Sequence, residues 1–192
     1  MTAQNIIDSS KPVLTGLKIS EDDTTLLSFL NLAKNQIAQD TLLWIDGEEI
    51  TMTDSLTYTL DTIPIQILDI YDASMQIRPR NQATDLGYFQ TSPNSIRVVT
   101  ADDGAKLYVN YYYTPDDYAI DDEVVIPNSL INAMQYFIAH KSFEIYKSEK
   151  EMFSSTEYYK KYKSSIFEYV ATTDNNIGTV LSNDMITNKG LV

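Results

Sequence analysis

With one histidine, no cysteine and 27 acidic residues, the chain could draw reaction chemistry only from carboxylates, hydroxyls or His140. Zero cysteines exclude disulfides, thiolate zinc sites, iron–sulfur clusters and cysteine nucleophiles. His140 stands beside Lys141, with Glu144 at i+4. A metal site built on it would need carboxylate co-ligands, so a core or interface imidazole is the expected reading. A Ser-His-Asp triad needs an activated serine, and the G-x-S-x-G elbow that exposes one is absent. Neither a Walker A loop nor G-x-G-x-x-G occurs, which removes the nucleotide-binding fingerprints. Five acids crowd the segment TPDDYAIDDEVVIP: Asp116, Asp117, Asp121, Asp122 and Glu123. Their hard oxygens suit Ca²⁺ or Mg²⁺, but the spacing is not D-x-[DN]-x-[DN]-G and no glycine makes the sharp turn. Two readings stay open for them: a solvated loop, or a negatively charged rim that acts when copies are arrayed. Nothing places two carboxylates across a cleft, so a carboxylate-based hydrolase is not expected. No cofactor or metal is expected either.

The 14 tyrosines are the other conspicuous group, with runs at Tyr111-Tyr112-Tyr113 and Tyr158-Tyr159. Tyrosine suits half-buried strand positions and protein–protein interfaces, where one end packs and the other hydrogen-bonds. Stacking on a sugar or a base is the alternative.

These groups sit on 192 residues, enough for one domain, or one domain plus an appendage, that buries roughly 70% of its unfolded surface. Hydrophobic residues make up 43%, a globular composition and not a disordered one. No apolar run approaches the ~18 residues of a membrane span. The opening MTAQNIIDSSKP lacks a basic start followed by an apolar stretch, so no signal peptide is expected. The net charge of −13 argues against a general nucleic-acid binder, which needs a basic footprint. That charge is uneven: residues 1–127 hold 20 acids and 7 bases, residues 128–192 hold 7 of each. An acidic front of this kind serves solubility, or lets a polyanion slide past without sticking. A soluble, non-enzymatic protein is the expectation.

The elements that must position these groups begin with a helix over about 22–40. Ser20-x-x-Asp23 has the form of a capping box, and Leu26, Phe29, Leu30, Ala33 and Ile37 trace one apolar stripe. Ile6 and Ile7, ahead of Lys11-Pro12, suggest a short preceding helix. From about residue 55 to 113 the period becomes alternating, which predicts a β insertion of four or five antiparallel strands. Asp102-Asp103-Gly104 reads as the turn of a hairpin joining 96–100 to 106–113. Helical period returns over about 128–150, where Ile131, Met134, Ile138 and Ile145 align, widened by Ala133, Phe137 and Phe143. It continues over about 155–170, where Tyr159, Tyr162, Ile166 and Tyr169 fall on one side. Residues 171–192 show no trusted period and are expected to form an extended arm. The predicted fold class is thus α+β: a mainly α-helical bundle in a single domain over 1–170, with an inserted short antiparallel β-sheet and an extended C-terminal arm.

In that order the elements resemble the tailed-phage head–tail connector proteins, the adaptor family that forms a ring under the portal. That family's opening helix pattern, L-x-x-(F/W)-(L/I)-N-x-A-x-x-x-I, is similar to the run from Leu26 through Phe29, Leu30, Asn31 and Ala33 to Ile37. Its Y-x-L-P strand is similar to Tyr58-Thr59-Leu60, with Pro64 later than the pattern has it. Its x-V-x-Y-x-x-x-P strand resembles the run from Val109 and Tyr111 to Pro115. Its acidic stretch, proline and A-x-x-Y/F-x-x-A helix resemble Asp121-Asp122-Glu123, Pro127 and Ala133 to His140.

The resemblance, over roughly residues 20–170, implies a structural virion protein in the phage neck, assembled in the host cytoplasm, with no membrane partner. It implies a ring, commonly of twelve copies, contacting the portal and a tail or second ring protein, with genomic DNA passing through without sequence-specific binding. Three groups of residues follow from it as expectations. Ile177, Val180, Leu181, Met185, Ile186, Leu191 and Val192 would dock the arm onto the portal. Asp116, Asp117, Asp121, Asp122 and Glu123 would line or rim the channel. Met134, Phe137, Ile138, Tyr159, Tyr162 and Ile166 would meet neighbouring subunits. A tyrosine-rich carbohydrate-binding module is the alternative from another class.

Overall fold

A computed structural model describes residues 1–15, 21–83, 87–100, 102–145 and 149–188, with 149–150 and 174–188 as backbone. The chain divides into two compact units, one of residues Met1–Thr41 with Asp116–Val192 and one of Leu42–Pro115. The fold is α+β, with four helices and two small antiparallel sheets among the described residues.

The first unit is helical. α1 (Ala3–Thr15) buries Ala3, Ile6, Ile7, Ser10 and Leu14, the i, i+3, i+4, i+7, i+11 stripe that seats a helix on a core. Pro12 lies in its last turn and costs a single main-chain bond there. α2 (Asp23–Thr41) buries Leu26, Leu30, Ala33, Lys34, Ile37 and Ala38. Its N-terminus is capped by Asp22, whose Oδ1 accepts from the Thr25 N–H at 2.7 Å. The expected cap, Ser20, lies outside the described residues.

α3 (Asn128–Glu144) starts directly after Pro127 and packs against α1, α2 and, most extensively, α4 (Glu149–Asn188). α4 corrects the predicted arm. The backbone is helical to Asn188 where residues 171–192 were expected to be extended, and 189–192 lie outside the described residues. No proline follows Pro127, and Gly178 alone costs a helix only about 1 kcal/mol, so nothing in the sequence terminates it.

The second unit holds six strands: β1 (Ile45–Thr51), β2 (Thr57–Thr59), β3 (Gln66–Asp72), β4 (Tyr88–Ser92), β5 (Ser95–Val98) and β6 (Lys106–Tyr112). They form two three-stranded antiparallel sheets, ordered β1-β6-β3 and β2-β5-β4, instead of the single sheet expected. β6 alternates as read, with Leu107, Val109 and Tyr111 buried in the core they share with Ile50, Ile67, Ile70, Ile96 and Val98.

The predicted hairpin is not a hairpin. β6 is flanked on both sides, by β1 and β3, while β5 pairs with β2 and β4, so Asp102-Asp103-Gly104 carries the chain from one sheet to the other. The turn chemistry holds: Gly104 has φ +79°, and its N–H donates to Met52 O at 2.9 Å.

Candidate functional site

The five acids predicted as a rim lie on an ordered strap, residues 116–126, bound to the helical unit at three places. Lys34, fully buried on α2, donates from Nζ to Asp116 O at 2.7 Å and to the Asp117 carboxylate at 2.9 Å. The same ammonium lies 5.5 Å from the centre of the Tyr118 ring. One turn earlier, the Asn31 carboxamide closes a two-way bridge, donating to Tyr118 O at 3.1 Å and accepting from Tyr118 N–H at 2.8 Å. The other end caps α1, whose Ala3 and Gln4 N–H groups donate to Asp122 O and Ile120 O, both at 3.0 Å. These are orphan donors of a helix start, met by strap carbonyls. The clamp turns all five carboxylates outward: Asp116, Asp117, Asp121, Asp122 and Glu123 are exposed. Asp117 stays 70% exposed although its partner Lys34 is at 0%. Along the strap Glu123 is exposed, Val124 buried and Val125 exposed at 72%.

The residues expected at a subunit interface lie elsewhere. Met134, Phe137, Ile138, Tyr162 and Ile166 are buried inside the chain's own helical unit. Phe137 meets the Tyr162 ring edge-on at 5.1 Å, and Phe143 stacks on Tyr158 at 5.5 Å. Their stripe is apolar because α3 and α4 pack on each other. Tyr159 alone of the six is exposed, at 37%; on the same helix Phe153 and Phe167 are exposed at 67% and 76%.

Two polar ties cross this core. Tyr162 donates to Asp40 Oδ2 at 2.6 Å, and Lys163 reaches the same oxygen at 2.8 Å. Burial pushes Asp40 up, but the bonds from Lys163 and Tyr162 outweigh it and hold the carboxyl below 3.8. Burial, then the bond to Asp40, drives the Tyr162 phenol far above its usual range. His140 Nδ1 lies 3.1 Å from Ser155 O and 2.9 Å from Ser155 Oγ. A carbonyl only accepts, so Nδ1 carries the proton. Burial lowers this imidazole from 6.5, against the Ser155 bond that raises it. His140 is a packed interhelix residue, as its surroundings in the sequence suggested.

Of the arm residues, Ile177, Val180, Leu181, Met185 and Ile186 fall on the backbone-only stretch of α4, and Leu191 and Val192 lie outside the described residues. Described tyrosines occur on strands, on helices and on the strap. Tyr111 is buried, and Tyr71 and Tyr108 stack on each other at 5.3 Å. Sequence reasoning missed Lys34 and Asp40, and met Asn31 only as part of the family's helix pattern. Lys34 left a trace, because it interrupts the buried stripe four residues after Leu30 and three before Ile37.

Among the described residues no three His, Asp or Glu side chains gather to hold a metal, and no helix is long and apolar enough to cross a membrane. The acidic strap is thus clamped on a helical unit whose two chain segments are separated by a six-strand insertion. The chain belongs to the SU10 adaptor protein family, whose profile matches residues 1–181. Membership of that family makes it a structural phage adaptor, a component of the virion. None of the curated proteins matches the chain.

Proposed function

We propose that the protein forms an oligomeric ring, of about twelve copies as is common for such connectors, that joins the portal to the tail and extends the DNA channel. The observation that carries this reading is the adaptor-family match over residues 1–181, which takes in the whole acidic strap. In the ring, the outward carboxylates of Asp116, Asp117, Asp121 and Asp122 rim the channel. Their like charge keeps the genome moving past instead of adsorbing. With Met134, Phe137, Ile138, Tyr162 and Ile166 packed within one chain, neighbouring subunits meet through exposed groups, Tyr159 among them.

The last part of α4 and the residues after it dock on the portal, through Ile177, Val180, Leu181, Met185, Ile186, Leu191 and Val192. Deleting 172–192 is expected to abolish portal binding in a pull-down while the circular dichroism of the remaining fold persists. Portal capture at normal affinity by the truncated chain would refute the docking role. A glycan-binding reading rests on the stacked Tyr71–Tyr108 pair. It predicts a shift in Trp44 fluorescence with oligosaccharide, where the ring reading predicts none.

A further inference from the structure

The sheet β2-β5-β4 carries a cavity of about 500 Å³ lined by Phe89, Thr91, Arg97, Val98 and Val99. Its volume is in the range of ligand pockets. Arg97 points out of the core, because its neighbours Ile96 and Val98 are fully buried. In the ladder it lies between Thr57 on one side and Phe89 on the other. Its guanidinium makes no hydrogen bond or ion pair with any described residue. An open guanidinium beside a mostly apolar cavity, on a strand in the middle of its sheet, suits a carboxylate that has an apolar side chain close by. The planar fork binds carboxylates bidentately, and the strand holds it in place.

The chain itself carries such a ligand. On the strap, exposed Glu123 and Val125 flank buried Val124, the alternation of an extended segment, so both side chains leave on one face. The Glu123 side chain is 79% exposed, and its ion pair, to the N-terminal ammonium, is long at 3.8 Å. Val125 is an exposed large apolar residue at 72%. Arg97 on β5 and half-buried Val99, just past the end of that strand, are likewise two residues apart. We propose that the Arg97 cavity of one copy receives the Glu123–Val125 edge of the strap of a second copy, the carboxylate on Arg97 and Val125 against Phe89 and Val99. The contact joins different patches of identical chains, the head-to-tail kind that closes into a ring when its rotation permits. It deepens the ring reading and rests on it, and it leaves Asp116, Asp117, Asp121 and Asp122 to the channel.

The test is a charge-swap cycle read by mass photometry, with the protein alone and on the cognate portal, and circular dichroism checking each fold. Arg97→Glu and Glu123→Arg are each expected to weaken copy–copy association about tenfold or more, and the double variant to restore it to within about threefold of wild type. Val125→Asp, which touches neither charge, is expected to weaken it as well. A wild-type ring that tolerates R97E, or a double variant no better than its parents, overturns this contact and leaves the ring standing. A wild type that never associates, alone or on the portal, overturns the ring reading and this contact with it.

Discussion

Lys34 carries the strongest constraint in the helical unit. A fully buried ammonium needs partners, because an unpaired charge away from water is costly. Here those partners are the carbonyl of Asp116 and the carboxylate of Asp117, so the charge that cannot leave the core holds the strap to its surface. Replacing it by methionine keeps the volume and removes both bonds. Lys34→Met is expected to cost about 2 kcal/mol in urea unfolding and to speed amide exchange at Tyr118. Unchanged exchange there would mean that Asn31 alone fixes the strap.

His140 gives a pH dependence whose sign follows from its burial. Its folded-state value lies below 6.5, so the fold favours the neutral ring. No penalty exists above the unfolded value; it grows as pH falls below about 6.5 and is complete below the depressed folded value. His140→Gln takes up no proton, so the wild type should lose stability relative to this variant between about pH 7 and 5. Parallel urea midpoints across that range would contradict the assignment.

Among the elements, the α3–α4 pair shows how far periodicity reaches. Met134 and Ile138 were legible as part of one apolar stripe and Tyr162 and Ile166 as part of another, yet an apolar stripe looks the same whether its cover is the same chain or a second copy. Only the burial, with Tyr162 donating to Asp40 from 122 residues away, decides it. Tyr162→Phe leaves that carboxylate one donor short and is expected to cost about 1–2 kcal/mol while leaving copy number unchanged. A change in copy number would return this face to the interface.

The sheets divide in the same way. β6 was readable because every second residue is buried, while β1 was not, since Ile50 is its one buried residue of seven. The Asp-Gly turn was correctly placed, but a turn is local and strand pairing is not, so nothing nearby revealed that β5 and β6 belong to different sheets. The strap's acids were visible as exposed charges. The clamp that orients them was not, because Lys34 and Asn31 act across 82 to 87 residues.

At the scale of the molecule, the acidity of residues 1–127 and the exposed strap are the features that the proposed ring would put to use. One copy with a net charge of −13 repels nucleic acid diffusely, whereas a ring of copies would concentrate the outward carboxylates of Asp116, Asp117, Asp121 and Asp122 from every chain. The family places this chain among structural phage adaptors, and the ring is the step from that class to a mechanism.

Negative-stain electron microscopy of the purified protein, alone and mixed with the cognate portal, tests that step most directly. Rings seated on the portal, with a rotational symmetry that counts the copies, are the predicted result. A compact single-copy particle that ignores the portal would contradict it.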